Sequence, residues 1–135
     1  MPIVLMAVLV LHVLAAVFWA GSTFTLARMG GERAEQLFVP QMGAAAVAAL
    51  TGFVLWWQLH SGTFGVAEQI LAAGVAAALL AAGVQAALIA GAQPTIGAAG
   101  GAGATAQRRR MAVGERIAAG LLAVALIAMT VVRFV

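Results

Sequence analysis

An all-α polytopic membrane protein, folded as a four-transmembrane-helix bundle, is the fold class this sequence predicts, on three observations. Hydrophobic residues make up 64% of the 135 and charged residues 8%, with a mean hydropathy of +1.09. A soluble domain carries about a quarter charged residues. Four apolar runs each approach or exceed the ~20 residues that a helix needs to cross a hydrocarbon core. None shows the period-two alternation of a barrel strand, and only helices or closed barrels satisfy their backbone groups in lipid.

The four spans make one domain over 1–135. The first covers about 3–26, broken only by His12 and the small polar Ser22, Thr23 and Thr25. It has no charged start and no small-residue cleavage site, so it reads as a helix that is kept. The second covers about 39–59, the third 69–92 and the fourth 117–135. Between the last two lies a Gly/Ala-rich stretch with Pro94, read as a flexible loop over 93–110.

Arginine sets the direction of these spans. Arg28 and Arg33 follow the first, and Arg108, Arg109, Arg110 and Arg116 follow the third. The loop between the second and third holds none. The positive-inside rule then places loops one and three in the cytoplasm and both termini outside, in a bacterial inner membrane. These six arginines serve as topology anchors, and the Arg108–Arg110 run suits anionic headgroups.

Small residues recur at four-residue spacing, as in Gly74 and Ala78 or Gly83 and Ala87. In lipid, close backbone approach supplies the contacts that hold helices together, and small residues permit it. Gly74 and Gly83 are therefore expected at interfaces, within the bundle or against another membrane subunit.

An ionisable side chain inside a span is a functional hypothesis by default. His12 is the one well inside, roughly 14 Å from the outer surface at about 1.5 Å per residue. Leu5, His12, Trp19 and Thr23 share one stripe that should face the bundle, and Thr51 lies at the same depth on the second span. Two readings stay open: a neutral His12 hydrogen-bonded to Thr51 or a backbone carbonyl, and a functional His12 that is a metal or haem ligand or a proton relay. His60, Glu68 and Arg133 gather at the outer end. They make either a Glu68–Arg133 ion pair or a mouth that collects a cation for His12, with Met6 as a soft ligand between. His60 cannot share one iron with His12, because the two differ in depth by more than ~10 Å. Gln85 is expected to bond another helix, and the four Glu are read as lying in loops or at span ends.

Several chemistries are missing. The chain has no cysteine, hence no disulfide or thiolate site. It shows no phosphate loop, no paired carboxylates and no zinc-protease motif. Its basic balance lacks the patterned face of a nucleic-acid reader, so the expected partner is the lipid bilayer.

The first span, LHVLAAVFWAGSTFTLAR, resembles the opening of CopD-like membrane proteins: a His, a Trp seven residues later and a Gly-containing turn, here His12, Trp19 and Gly21. The closing LLAVALIAMTVVRFV is similar to their last helix, which ends with Arg and an aromatic, here Arg133 and Phe134. HemJ-like proteins share the His-to-Trp spacing. The resemblance implies copper handling or haem b binding, with His12 as ligand and His60 and Met6 as further metal contacts. The alternative is a non-catalytic accessory subunit, without a cofactor, beside a larger respiratory, photosynthetic or transport complex.

Overall fold

The computed structural model describes residues 2–60, 62, 64–91 and 100–135. Helix α1 spans Ile3–Arg28, α2 spans Ala34–Leu59 and α3 spans Val66–Gln85, continuing as a wider π turn over Ala86–Ala90. Helix α4 spans Ala102–Val131 and tightens into a 3-10 turn at Val132–Phe134. All four are long and apolar enough to cross a membrane, and no strand occurs among the described residues.

Local chemistry sets the ends. The α1–α2 turn needs left-handed backbone at Gly30 (φ 69°) and Gly31 (φ 80°), where glycine carries no steric cost, and at Arg33 (φ 62°), which bears that cost. Helix α3 opens with the Gly65 N–H donating to Glu68 Oε2 at 2.8 Å, half of a capping box, since Gly65 has no side chain to return the bond.

The helices extend beyond the sequence-based spans. Helix α2 starts at Ala34, five residues ahead of the expected 39, and α3 at Val66, ahead of 69. The largest correction concerns α4. Residues 102–110, expected in a flexible loop, form its first turns; 93–99 of that loop, and residue 92 at the end of the expected third span, lie outside the described residues. Ala102, Ala104, Ala106, Gln107 and the arginines are good helix formers. Arg108 is also tied to Glu35 of α2 at 3.3 Å.

Neighbours in sequence pack as two antiparallel pairs, α1 with α2 and α3 with α4. Helix α1 joins the pairs by also packing on α4, whereas α2 meets α3 chiefly through the π turn at the arginine-rich end. Small residues set the closeness. A Cβ at Gly74 would lie 2.9 Å from the Ala128 Cβ, so α3 and α4 touch nearly backbone to backbone there. Gly74→Val should push them apart and cost about 1–3 kcal/mol, read as a lower unfolding temperature in detergent. Gly83 is exposed with nothing within 4 Å of its would-be Cβ. The expected Gly83 contact is therefore not made inside this bundle, because the buried stripe of α3 runs through Gly74, Ala77, Ala81 and Gln85.

The polarity runs opposite to that of a water-soluble bundle. Ile3, Leu14, Val17, Leu50, Phe53 and Ile127 are exposed, while Thr23, Gln41, Gln85 and Glu115 are fully buried. An apolar exterior is what a bilayer requires of its solute.

Candidate functional site

Two polar sites lie within the bundle, and α1 contributes to both. The first surrounds His12. Its Nδ1 lies 2.9 Å from the Ala48 carbonyl and 3.1 Å from Thr51 Oγ1. The Thr51 hydroxyl already donates to the Val47 carbonyl at 2.6 Å. Its proton is spent, so Nδ1 carries the ring proton and donates it to Ala48. Gly52 leaves the space this needs, since a Cβ there would stand 3.0 Å from His12 Cε1. The other nitrogen, Nε2, makes no hydrogen bond and remains accessible. His12 thus joins a fixed proton on one side to an open lone pair on the other. The depth match between His12 and Thr51 expected from residue counting is what the structure shows.

The remaining candidates do not join it. Met6 is 52% exposed and lies two turns away along α1. His60 caps α2 nine residues beyond Thr51, ~13 Å along the helix. It stacks on Trp56, with ring centroids 5.3 Å apart, and its Nδ1 is buried without a partner. The expected Glu68–Arg133 ion pair does not form: Glu68 is taken by the Gly65 N–H, and Arg133 is exposed. Among the described residues, no three His, Cys, Asp or Glu side chains converge as metal ligands.

The second site lies deeper, about 16 Å further along α1 at 1.5 Å per residue. Each helix contributes one fully buried polar side chain: Thr23 from α1, Gln41 from α2, Gln85 from α3 and Glu115 from α4. Gln85 joins them. Its Oε1 accepts from Trp19 Nε1 at 2.7 Å, and its Nε2 donates to Thr23 Oγ1 and to Glu115 Oε2, both at 3.0 Å. Gln41 Nε2 donates to the same Thr23 oxygen at 3.2 Å, and the Thr23 hydroxyl donates to the Trp19 carbonyl at 2.8 Å. Two acceptors, Glu115 Oε1 and Gln41 Oε1, are buried with no partner.

Apolar residues close this layer on both sides. Ala15, Trp19, Ala81, Ala118 and Leu122 pack on one side. Leu26, Ala34, Ile89 and Met111, backed by Leu37 and Phe38, pack at the arginine-rich end. The Gln85 expectation of an interhelical bond holds, with partners on both α1 and α4. The expectation that every Glu lies in a loop or at a span end fails at Glu115. The missed signal was periodicity. Met111, Glu115, Ala118 and Leu122 follow i, i+4, i+7, i+11 spacing, which puts the carboxyl on the buried face.

Compared with protein-family models, curated proteins and solved structures, the chain matches none of them. Its functional reading therefore rests on the geometry of its own residues.

The arginines expected as topology anchors lie at one end of the bundle, at helix ends and on the first turns of α4. Arg28 and Arg33 flank the α1–α2 turn, and Arg109 and Arg110 lie exposed on the first turns of α4. Arg110 Nη2 donates to the Ala87 carbonyl at 3.4 Å, across the π turn. Arg116 is exposed beside the buried Glu115, its side chain on the outside of the bundle.

Proposed function

We propose that this chain is a small cofactor-handling protein of a bacterial inner membrane, its arginine-rich end cytoplasmic, with His12 Nε2 as the ligating atom for haem b. One observation carries the reading: Nδ1 is engaged by the Ala48 carbonyl, which leaves Nε2, without a hydrogen bond, as the ring nitrogen free to ligate. Metal-ligating histidines almost always donate their other ring N–H in this way, which fixes the tautomer and raises ligand basicity. A lone histidine so oriented would suit haem iron, with His12 as the residue that would hold it. It does not suit copper held by His12, His60 and Met6, which the helix geometry keeps apart. Haem iron, when bound, supplies one-electron chemistry. Thr51 and Ala48 orient the imidazole, and Gly52 keeps its space open.

Neither of the two principal grooves formed by the described residues is lined by His12. The larger of the two principal grooves, about 370 Å³ and lined by Phe53, Val54, Trp57 and Gln58, excludes His12. Binding would thus be at the protein surface, which suits transfer better than permanent residence.

The full chain purified in detergent with haem supplied should give a stoichiometric reduced-minus-oxidised haem spectrum. His12→Ala should abolish that spectrum while leaving the helical circular dichroism intact. A well-folded, colourless parent protein would sink the proposal. It would leave the accessory-subunit reading, which the exposed small residues Ala73, Ala76, Gly83 and Ala87 along α3 favour.

A further inference from the structure

The layer formed by Thr23, Gln41, Gln85 and Glu115 is short of one hydrogen-bond donor. Counting its atoms shows why. The Thr23 oxygen receives two amide N–H groups and spends its own proton on the Trp19 carbonyl. The indole N–H is spent on Gln85 Oε1, and the Gln85 amide serves Thr23 and Glu115 Oε2. What remains is one N–H of the Gln41 amide and two buried oxygens, Glu115 Oε1 and Gln41 Oε1, so acceptors outnumber donors by one in a layer flanked by apolar side chains above and below. Native interiors rarely leave such groups unpaired, and each one calls for a physical cause.

We propose that this layer is a buried proton-binding site in which Glu115 holds a proton on Oε1. Binding adds one H⁺ to Oε1 and takes the carboxyl from charge −1 to 0. It converts one orphan acceptor into a donor, with the Gln41 oxygen as the other open acceptor of the same layer.

A metal ion fits less well. Hard cations take six or more oxygen ligands, and only two free oxygens are present. The amide and indole N–H groups directed into the layer would repel a positive charge.

No fixed charge compensates an ionised Glu115. On α1, Arg28 is exposed at the helix end and His12 lies about 16 Å away along the helix. In the turn before α2, Glu32 and Arg33 are exposed, and Glu35 of α2 faces Arg108. The titratable group of α3, Glu68, sits at its far end. On α4 itself, Arg116 lies on the outer surface and Arg108 to Arg110 lie beyond Met111.

The closure at the arginine-rich side is built on the π turn. Ile89 of the π turn and Met111 close the layer there, and Gln85, the hub of the network, immediately precedes that turn. A single-turn π element inside an α-helix frequently marks a functional position.

Trp19 is a built-in reporter, since its indole is one bond away from Gln85. The test uses the full chain in lipid vesicles with Trp56→Phe and Trp57→Phe, leaving Trp19 as the sole indole of the three. At neutral pH, infrared spectra should show one protonated-carboxyl carbonyl band per chain, shifted by exchange into heavy water. Glu115→Gln should remove that band entirely, while leaving Trp19 emission and the unfolding temperature close to those of the parent. Glu115→Ala should remove the band, shift Trp19 emission and lower the unfolding temperature. An ionised carboxylate in place of the band would overturn the proposal, as would a Glu115→Gln protein as disrupted as the alanine variant. Trp19 emission that responds to Na⁺ or K⁺ would also overturn it, in favour of a bound cation.

Discussion

Replacing Gln85 by leucine should destabilise the bundle by about 2–4 kcal/mol, although the two side chains are similar in size. The substitution removes an acceptor for Trp19 Nε1 and donors to Thr23 and Glu115 in one step. Interhelical hydrogen bonds within a membrane average about 0.6 kcal/mol and reach ~1.7 kcal/mol, because the unfolded helices also find partners. Three such bonds account for about 2 kcal/mol, and the groups left behind raise the cost. Glu115 Oε2 would lose its Gln85 partner, leaving both carboxyl oxygens without one in a layer flanked by apolar side chains. Thermal unfolding in detergent, followed by circular dichroism, should show the loss. Gln58→Leu, at an exposed position near the opposite end, should leave the transition almost unmoved.

A comparable loss, about 2–5 kcal/mol, is expected from Gly31→Val in the α1–α2 turn. Two costs add there. The left-handed backbone costs an L-residue ~1–2 kcal/mol, and overpacking a tight contact costs about 1–3 kcal/mol more. The contact is with backbone: a Cβ at Gly31 would lie 2.8 Å from the Ala112 nitrogen and 3.0 Å from the Arg108 carbonyl oxygen. Neither atom can rotate away, so α4 must shift and the Arg108–Glu35 pair must open with it. Gly30→Ala is the matched control. Its φ is also positive, but nothing lies within 4 Å, so only the conformational cost of about 1 kcal/mol applies. A small difference between the two variants in unfolding temperature would show that the turn is not clamped to α4.

The two polar sites differ in how far the sequence disclosed them. His12 stood out because one imidazole in an apolar span is conspicuous, and counting 1.5 Å per residue from the span ends put Thr51 level with it. Glu115 did not stand out, because it lies between Arg116 and the arginine run and reads as part of a charged helix end. Its burial follows from α4 beginning at Ala102, which makes residue 115 an interior position with Gln85 of α3 at the same depth. Gln41 was masked in the same way by the later start expected for α2. A boundary error of several residues thus concealed half of a four-helix polar layer.

Hydropathy and length were enough to determine the membrane class, the number of helices and their antiparallel order, because side-chain transfer into lipid and the closing of backbone hydrogen bonds within a helix are both local. Short-range periodicity also determined which face of α1 points inward. Pairing was another matter. Which polar groups meet, which glycine is pressed against a neighbouring helix and which proton His12 carries were decided only by the tertiary structure. Each depends on atoms tens of residues away arriving at one depth. The contrast between Gly74 and Gly83 shows this most plainly: two glycines of one Ala-rich helix, nine residues apart, one packed against Ala128 and the other facing outward.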